Sequence, residues 1–249
     1  GSIHEFNPIK TKDFELFDPN CQFTDDTVMT FAVAEACMNE EPYVDSLQTW
    51  GRKYPFAGYG SWFGRWIFSE NPEPYNSFGN GSAMRVSSIG WLFDDEEMVL
   101  QKASESAQIT HNHQEGIMGA QAVALGVYLA RKGSTKTKIK ERLESTFGYS
   151  LGRNLDKIRP KYHFDVTCQG SVPEAIIAFL ESHDFEDAIR NAISLGGDAD
   201  TQACISGALA EAHYLSIPKP IKEFVIKKIT PDMLMVLNDF EQRVSITLN

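Results

Sequence analysis

The amino-acid sequence predicts an all-α fold in a single domain spanning 1–249, and three observations carry that expectation. No stretch sustains apolar–polar alternation; only Tyr162-His163-Phe164-Asp165-Val166-Thr167 hints at a strand, too little for a sheet. Acidic or hydroxylated helix starts recur along the chain, each followed by an apolar or small-residue run, and several runs close on glycine. With 249 residues, 42% of them hydrophobic, and no Ser/Gly/Pro-rich or highly charged linker, the chain can bury one large core. Helices of ordinary length, about 11–12 residues, would number roughly eight to ten.

Residues 1–22, polar and aromatic with Pro8 and Pro19, read as loop. A helix is expected from Asp25 to about Met38, with Val28, Phe31, Ala32 and Cys37 on its buried face. Between 51 and 80, Gly51, Gly58, Gly60, Gly64 and Gly79 are interleaved with Tyr54, Phe56, Tyr59, Trp62, Phe63 and Trp66. Glycine punctuates and aromatics supply rigid apolar surface, so this stretch is a loop-rich flap on the core, a wall for a flat ring, or both. Gly79-Asn80-Gly81-Ser82-Ala83-Met84-Arg85 opens the next helix. Its glycines let backbone N–H groups approach an anion and Ser82 adds a hydroxyl, although a plain turn is the commoner meaning of such a pattern. Asp94-Asp95-Glu96-Glu97 starts a helix to about Gln108 as a solvated first turn. After His111-Asn112-His113, a helix rich in glycine and alanine runs from about Glu115 to Lys132 and ends at Gly133. Residues 137–147 form a basic amphipathic helix closed by Gly148. Ser171-Val172-Pro173-Glu174 reads as a capping box that starts a helix through Leu180. Asp184 caps a helix ending at Leu195-Gly196, another runs through Tyr214, and Thr230-Pro231 starts the last.

A net charge of -11 and a pI near 5.0 disfavour non-specific binding to nucleic acid or an anionic membrane. Cys21, Cys37, Cys168 and Cys204 are scattered without a C-x-x-C pair, as in a reduced, cytoplasmic protein. No apolar run reaches transmembrane length and no signal peptide is visible. A monomer is expected.

Two distant stretches carry the chemistry: Phe23-Thr24-Asp25-Asp26-Thr27 and Gly196-Gly197-Asp198-Ala199-Asp200-Thr201. Each puts two carboxylates and two hydroxyls or a hydroxyl and a glycine pair at a helix start, where an acid alone means little because the helix dipole favours it. Taken separately, they are two well-capped helices whose acids never meet. Brought together, four carboxylates repel and call for a cation, and an all-oxygen donor set suits Mg²⁺, Mn²⁺ or Ca²⁺ rather than zinc. The paired occurrence favours a shared metal site. Added to a glycine loop for phosphate and aromatics for a base, such a site would accommodate a nucleotide sugar.

Thr24-Asp25-Asp26-Thr27, Gly79 to Arg85, Thr110-His111-Asn112-His113, Ser171-Val172-Pro173-Glu174-Ala175 and Gly196 to Thr201 together resemble the ADP-ribosylglycohydrolase family, in the same order and over Gly1 to about Tyr214. Each motif is modestly specific; the ordered set is very specific. The resemblance implies an orthogonal all-α bundle with two divalent cations, Mg²⁺ or Mn²⁺, that removes ADP-ribose from modified macromolecules, most simply protein side chains. It implies Thr24, Asp25, Asp26, Asp198, Asp200 and Thr201 as metal ligands. It implies Gly79, Asn80, Gly81, Ser82, Met84 and Arg85 as the pyrophosphate cradle, and His111 in the ADP-ribose cleft. Catalysis is implied at Glu5, Asp25 and Asp200, with Glu5 or a metal-bound aspartate as base and ADP-ribose as product. His111 could equally cap the helix that follows; His113 reads as structural. Two departures stand out: Ala199 replaces a frequent threonine, and the helix that precedes Glu5 in the family is absent upstream of Gly1-Ser2, which we expect to be native sequence. The rival functions are another bimetallic nucleotide or phosphoester hydrolase, and a non-catalytic ADP-ribose binder.

Overall fold

The computed structural model describes residues 1–247 as helices joined by loops, with no strand among the described residues. In chain order the helices are α1 Asp25–Asn39, α2 Tyr43–Lys53, α3 Ser61–Ile67, α4 Gly81–Met84, α5 Ser87–Leu92, α6 Glu96–Gln108 and α7 Gln114–Arg131. There follow α8 Lys136–Phe147, α9 Leu155–Ile158, α10 Cys168–Leu180, α11 Phe185–Ile193, α12 Ala199–Tyr214, α13 Lys219–Ile226 and α14 Pro231–Thr247. These exceed the eight to ten expected, because α3, α4, α5 and α9 are short turns of helix between loops and α2 and α13 were not foreseen.

Helix α7 is the central element, with α4, α5, α6, α8, α10 and α12 packed around it. Its small residues make that crowding possible. A Cβ at Gly90 of α5 would stand 2.6 Å from the Ala124 carbonyl oxygen, and one at Gly126 would stand 2.7 Å from Leu209 Cδ2 of α12. Leu125, Ile139, Leu143, Ile176, Ile177 and Phe179 fill the space between and are fully buried. Each contributes about 1.5–3 kcal/mol by leaving water. Leu125→Ala should therefore cost about 2–5 kcal/mol in denaturant unfolding, since the neighbours cannot collapse onto the space it leaves. The second layer is α1 against α2, α5 and α14, and α11 against α10 and α12.

Local chemistry sets the ends that the sequence announces. Asp95 accepts from Met98 N at the start of α6, Thr135 from Lys138 N at α8, and Asp184 from Asp187 N at α11. Gly148 closes α8 with φ 71°. On α1, Val28 and Ala32 are buried, while Phe31 and Cys37 are half-buried. The capping box expected at Ser171–Glu174 does not form. Helix α10 starts at Cys168, with Thr167 accepting from Gly170 N at 3.1 Å; Ser171 Oγ donates to the Thr167 carbonyl at 2.7 Å, and Pro173 lies inside the helix. Thr167 displaces Ser171 as the cap because its segment is pinned from outside. Residues Gly79 and Thr167 form an isolated antiparallel bridge, with Asn80 N donating to the Val166 carbonyl and Cys168 N to the Phe78 carbonyl, both at 2.8 Å. The strand hint at 162–167 reduces to this bridge, and it ties the glycine loop to the start of α10. No described helix is long and apolar enough to cross a membrane.

Candidate metal centre and cleft

The two acid clusters occupy the first turns of α1 and α12, and the structure brings them together. Neither helix uses its first residue's side chain as a cap: Thr24 and Asp198 occupy the N-cap positions without the usual side-chain bond. Their polar groups turn into the space between the helices. Thr24 Oγ1 donates to Asp26 Oδ2 at 3.0 Å, and Thr201 Oγ1 reaches the same oxygen at 3.4 Å from the other helix. Asp198 Oδ2 accepts from Asn80 Nδ2 at 2.7 Å, which ties the second cluster to the glycine loop. One carboxylate oxygen from each of Glu5, Asp198 and Asp200 lies within 4.8 Å of the others.

Glu5 is held there although it lies close to the beginning of the chain. Lys10 Nζ donates to the Tyr162 carbonyl at 2.6 Å and to the Leu195 carbonyl, Lys12 pairs with Asp187, and Arg190 Nη1 donates to the Lys12 and Phe14 carbonyls at 3.0 and 2.9 Å. Gly1 packs onto the first turn of α12, where a Cβ would meet Asp200 Cα at 2.3 Å.

The electrostatics are those of a crowded anion nest. Burial first, then Asp200, pushes Asp25 up to about 7. Burial pushes Asp198 up to about 8 despite the opposing Asn80 hydrogen bond, and Glu5 up to about 7 with help from Asp200 and Asp25. Asp26, buried beside Asp200, Asp25 and Asp198, is raised well above the carboxylate range. Asp26 Oδ1 and Asp200 Oδ1 are buried without a hydrogen-bond partner among the described residues. Orphaned carboxylate oxygens and mutual repulsion are what a hard divalent cation relieves, so the donor set fits the implied metal. The residues that would hold it are Asp25, Asp26, Asp198 and Asp200, with the Thr24 and Thr201 hydroxyls beside Asp26 and Glu5 at their edge near Asp198 and Asp200.

These shifts give a stability prediction for the metal-free protein. Acids raised in the folded state bind protons there that the unfolded chain releases at lower pH, so stability is present below about pH 4 and is lost as pH climbs through the raised values near 7 and 8. Melting temperature with chelator should fall between about pH 5 and 8, and excess Mg²⁺ should flatten that slope. A slope unaffected by Mg²⁺ would disconnect the acids from metal.

The acid cluster lines a cleft of about 840 Å³. Its other walls are Tyr59, Trp62, Phe63 and Tyr75, the glycine loop, and Phe6, Phe78, Phe164 and Val166. Part of the aromatic stretch thus forms the expected wall. The rest does not: Phe56 is 99% exposed, Trp66 is buried in the core, and Tyr54 hydroxyl bonds Thr230 and Asp232 at 2.7 Å. Within the loop, Gly79, Asn80, Gly81, Met84 and Arg85 line the cleft. Ser82 hydroxyl instead donates to the Gly116 carbonyl at 2.7 Å, so that residue offers the cleft no hydroxyl. Arg85 is buried and both its hydrogen bonds go to protein, at Ser106 and Thr110.

His113 caps α7, its Nδ1 accepting from Glu115 N at 3.1 Å, whereas His111 lines the cleft. Tyr75, Phe78, Phe6 and Phe164 escaped the sequence-based expectation. The position of Tyr75 and Phe78 directly before the glycine loop was the one available signal.

A sequence model described as ADP-ribosylglycohydrolase matches residues 2–236. ADP-ribosylhydrolase ARH3 of Homo sapiens is 28% identical over 256 residues, covering 77% of this chain and 70% of that protein. ADP-ribosylarginine hydrolase Tri1 of Pseudomonas putida is 25% identical over 229 residues, covering 78% of this chain and 59% of that protein. A solved structure titled "ADP-ribosylglycohydrolase-related protein complex" superposes with a TM-score of 0.63 at 24% identity, over 90% of this chain and 79% of that one, which shows a shared fold.

Proposed function

Since the chain belongs to the ADP-ribosylglycohydrolase family, we propose that it hydrolyses the glycosidic bond between ADP-ribose and a modified macromolecule, most simply a protein side chain, with two Mg²⁺ or Mn²⁺ ions bound. The observation that supports this most is the convergence of Glu5, Asp198 and Asp200 in a cleft that also carries the glycine loop and an aromatic wall. That combination suits a ligand that joins a sugar, a pyrophosphate and a base.

When bound, the cations neutralise the carboxylates, orient the ribose hydroxyls and make a water more acidic. The protein's own groups do the rest. Backbone at Gly79–Gly81 approaches the pyrophosphate, where a side chain would intrude. Tyr75, Phe78 and Trp62 offer faces for the adenine. Glu5 takes the proton of the attacking water as its oxygen bonds to the anomeric carbon and the glycosidic bond breaks, and Glu5 then returns that proton to the leaving nitrogen or oxygen of the side chain. Because the acids are committed to metal, this differs from glycosidases that use two free carboxyl groups.

The test is a panel of arginine-, serine- and nucleic-acid-linked ADP-ribose, each with Mg²⁺, Mn²⁺ or chelator, read as free ADP-ribose. Release from one linkage and its loss on chelation supports the proposal. Phosphate release from a nucleotide panel instead would assign a phosphoester hydrolase, and binding without turnover a non-catalytic relative. Gly81→Val is expected to raise KM about tenfold or more, the equivalent of one lost contact. A Cβ at Gly81 already stands 3.4 Å from His111 Nε2, so the added methyls fill the loop. Unchanged affinity for free ADP-ribose in that variant would make the loop a turn and nothing more.

A further inference from the structure

Arg85, Thr110 and His111 form a buried hydrogen-bond chain that ends at the cleft. Arg85 is 1% exposed, and its Nη2 donates to the Ser106 carbonyl at 2.5 Å and to Thr110 Oγ1 at 3.2 Å. Thr110 is fully buried, and its Oγ1 lies 2.7 Å from His111 Nδ1. These are the two partners of that hydroxyl among the described residues.

Donor and acceptor accounting then fixes the protons. A guanidinium can only donate, so Arg85 occupies a lone pair of Thr110 Oγ1. The Thr110 proton has one acceptor within reach, His111 Nδ1. The reverse arrangement, with Nδ1–H donating to Thr110, would bury a hydroxyl proton with nothing to accept it, which proteins avoid. A histidine whose Nδ1 accepts is neutral and carries its proton on Nε2. His111 is 5% exposed, and Nε2 has no hydrogen-bond partner among the described residues. It lies 3.4 and 3.5 Å from where a Cβ on Gly81 and Gly79 would stand, so the unpartnered N–H faces the loop.

We propose that Arg85 and Thr110 are positioning residues that lock His111 as its neutral Nε2–H tautomer and aim one uncharged donor at the anionic part of the ligand over Gly79–Gly81. That the ligand is ADP-ribose rests on the function proposed above; the tautomer does not. Burial and the neighbouring Arg85 both hold His111 well below its ordinary pKa, in keeping with a neutral ring. Arg85 thereby acts on the anion through His111, its Nη2 being committed to the Ser106 carbonyl and Thr110 Oγ1.

The test is a two-bond ¹H–¹⁵N correlation spectrum of the full ¹⁵N-labelled chain without ligand, followed by calorimetric titration with ADP-ribose. Wild type should show His111 with the proton on Nε2 and a bare Nδ1. Thr110→Val, which removes the donor to Nδ1 while leaving Arg85 in place, should show a mixture of tautomers and bind ADP-ribose about tenfold more weakly, the scale of one net hydrogen bond. Thr110→Ser should restore both. A wild-type His111 carrying its proton on Nδ1, or on both nitrogens, overturns the proposal. So does a Thr110→Val variant whose tautomer changes while its affinity does not. If wild type fails to bind ADP-ribose, the proposed function falls, and the same titration with ADP tests the anion contact. Arg85→Ala is unsuited as the primary variant because it empties a buried site; Thr110→Val is folded if its thermal melt remains cooperative.

Discussion

Asp200→Asn and Asp25→Asn should each lower turnover by more than about 100-fold, beyond the 10–100-fold typical of losing a residue that merely supports a metal ligand. The same Asp200→Asn change should raise the melting temperature of the metal-free protein. Asp200 is a charge that pushes up Asp25, Asp26, Asp198 and Glu5, so neutralising it relieves four neighbours at once. At about 2–4 °C per kcal/mol for a domain of this size, the gain is measurable by calorimetry. Opposite signs for activity and stability are the signature of a site held strained for function. Metal titration should show weakened binding in both variants and a smaller stabilisation by Mg²⁺. Full activity after exhaustive chelation, or a metal-free melt lowered by Asp200→Asn, would remove the metal centre from the account.

Much of the fold is legible locally because helix ends are chemical events. Asp184 caps where its side chain predicts, α6 starts within the Asp94–Glu97 run, and Gly148 stops α8 at positive φ. Helix α2 carries no local start signal, because Pro42 precedes it without a side-chain cap, although Leu47 and Trp50 mark a buried face. Helix α10 shows the reverse error: Ser171–Glu174 has the right letters, but the bridge between Gly79 and Thr167 is a tertiary fact that moves the start to Cys168. Propensity is overridden wherever a distant partner fixes the backbone first.

The site divides the same way. Both acid clusters are visible in the sequence because each sits in one helical turn; their meeting is not, and rests on α1 and α12 presenting their first turns to one space. Asn80 to Asp198 spans 118 positions and Thr201 to Asp26 spans 175, separations at which no local pattern carries information. Composition also misleads within the aromatic stretch, where Trp62 lines the cleft and Trp66, four residues on, faces the core. Glu5 has no local signal at all. The family resemblance supplied it, and the Lys10, Lys12 and Arg190 contacts give its segment a fixed place.

Glu5→Gln is accordingly the second large expected effect: kcat should fall about 10²–10⁴-fold, the range for loss of a placed general base. Glutamine keeps the size of the side chain and one acceptor oxygen but cannot take a proton, so ADP-ribose affinity should change little. Burial first, then the Asp200 and Asp25 carboxylates, holds Glu5 up to about 7. Cations would draw that value down, which places the deprotonated, basic form in the majority at neutral pH. In wild type, kcat should rise with pH on the acid side as this group deprotonates, and the variant should lose that limb while keeping any alkaline one. The fold provides a control. Phe14, in the same N-terminal segment but outside the cleft lining, packs edge-on against His4 with ring centroids 5.3 Å apart, so Phe14→Ala loosens the segment without touching the carboxylate. A purely structural role for the segment would make Phe14→Ala as damaging to kcat as Glu5→Gln and leave both pH profiles alike. Turnover of Glu5→Gln equal to wild type would assign the base to Asp25 or Asp200 and reduce Glu5 to a neighbour of the site.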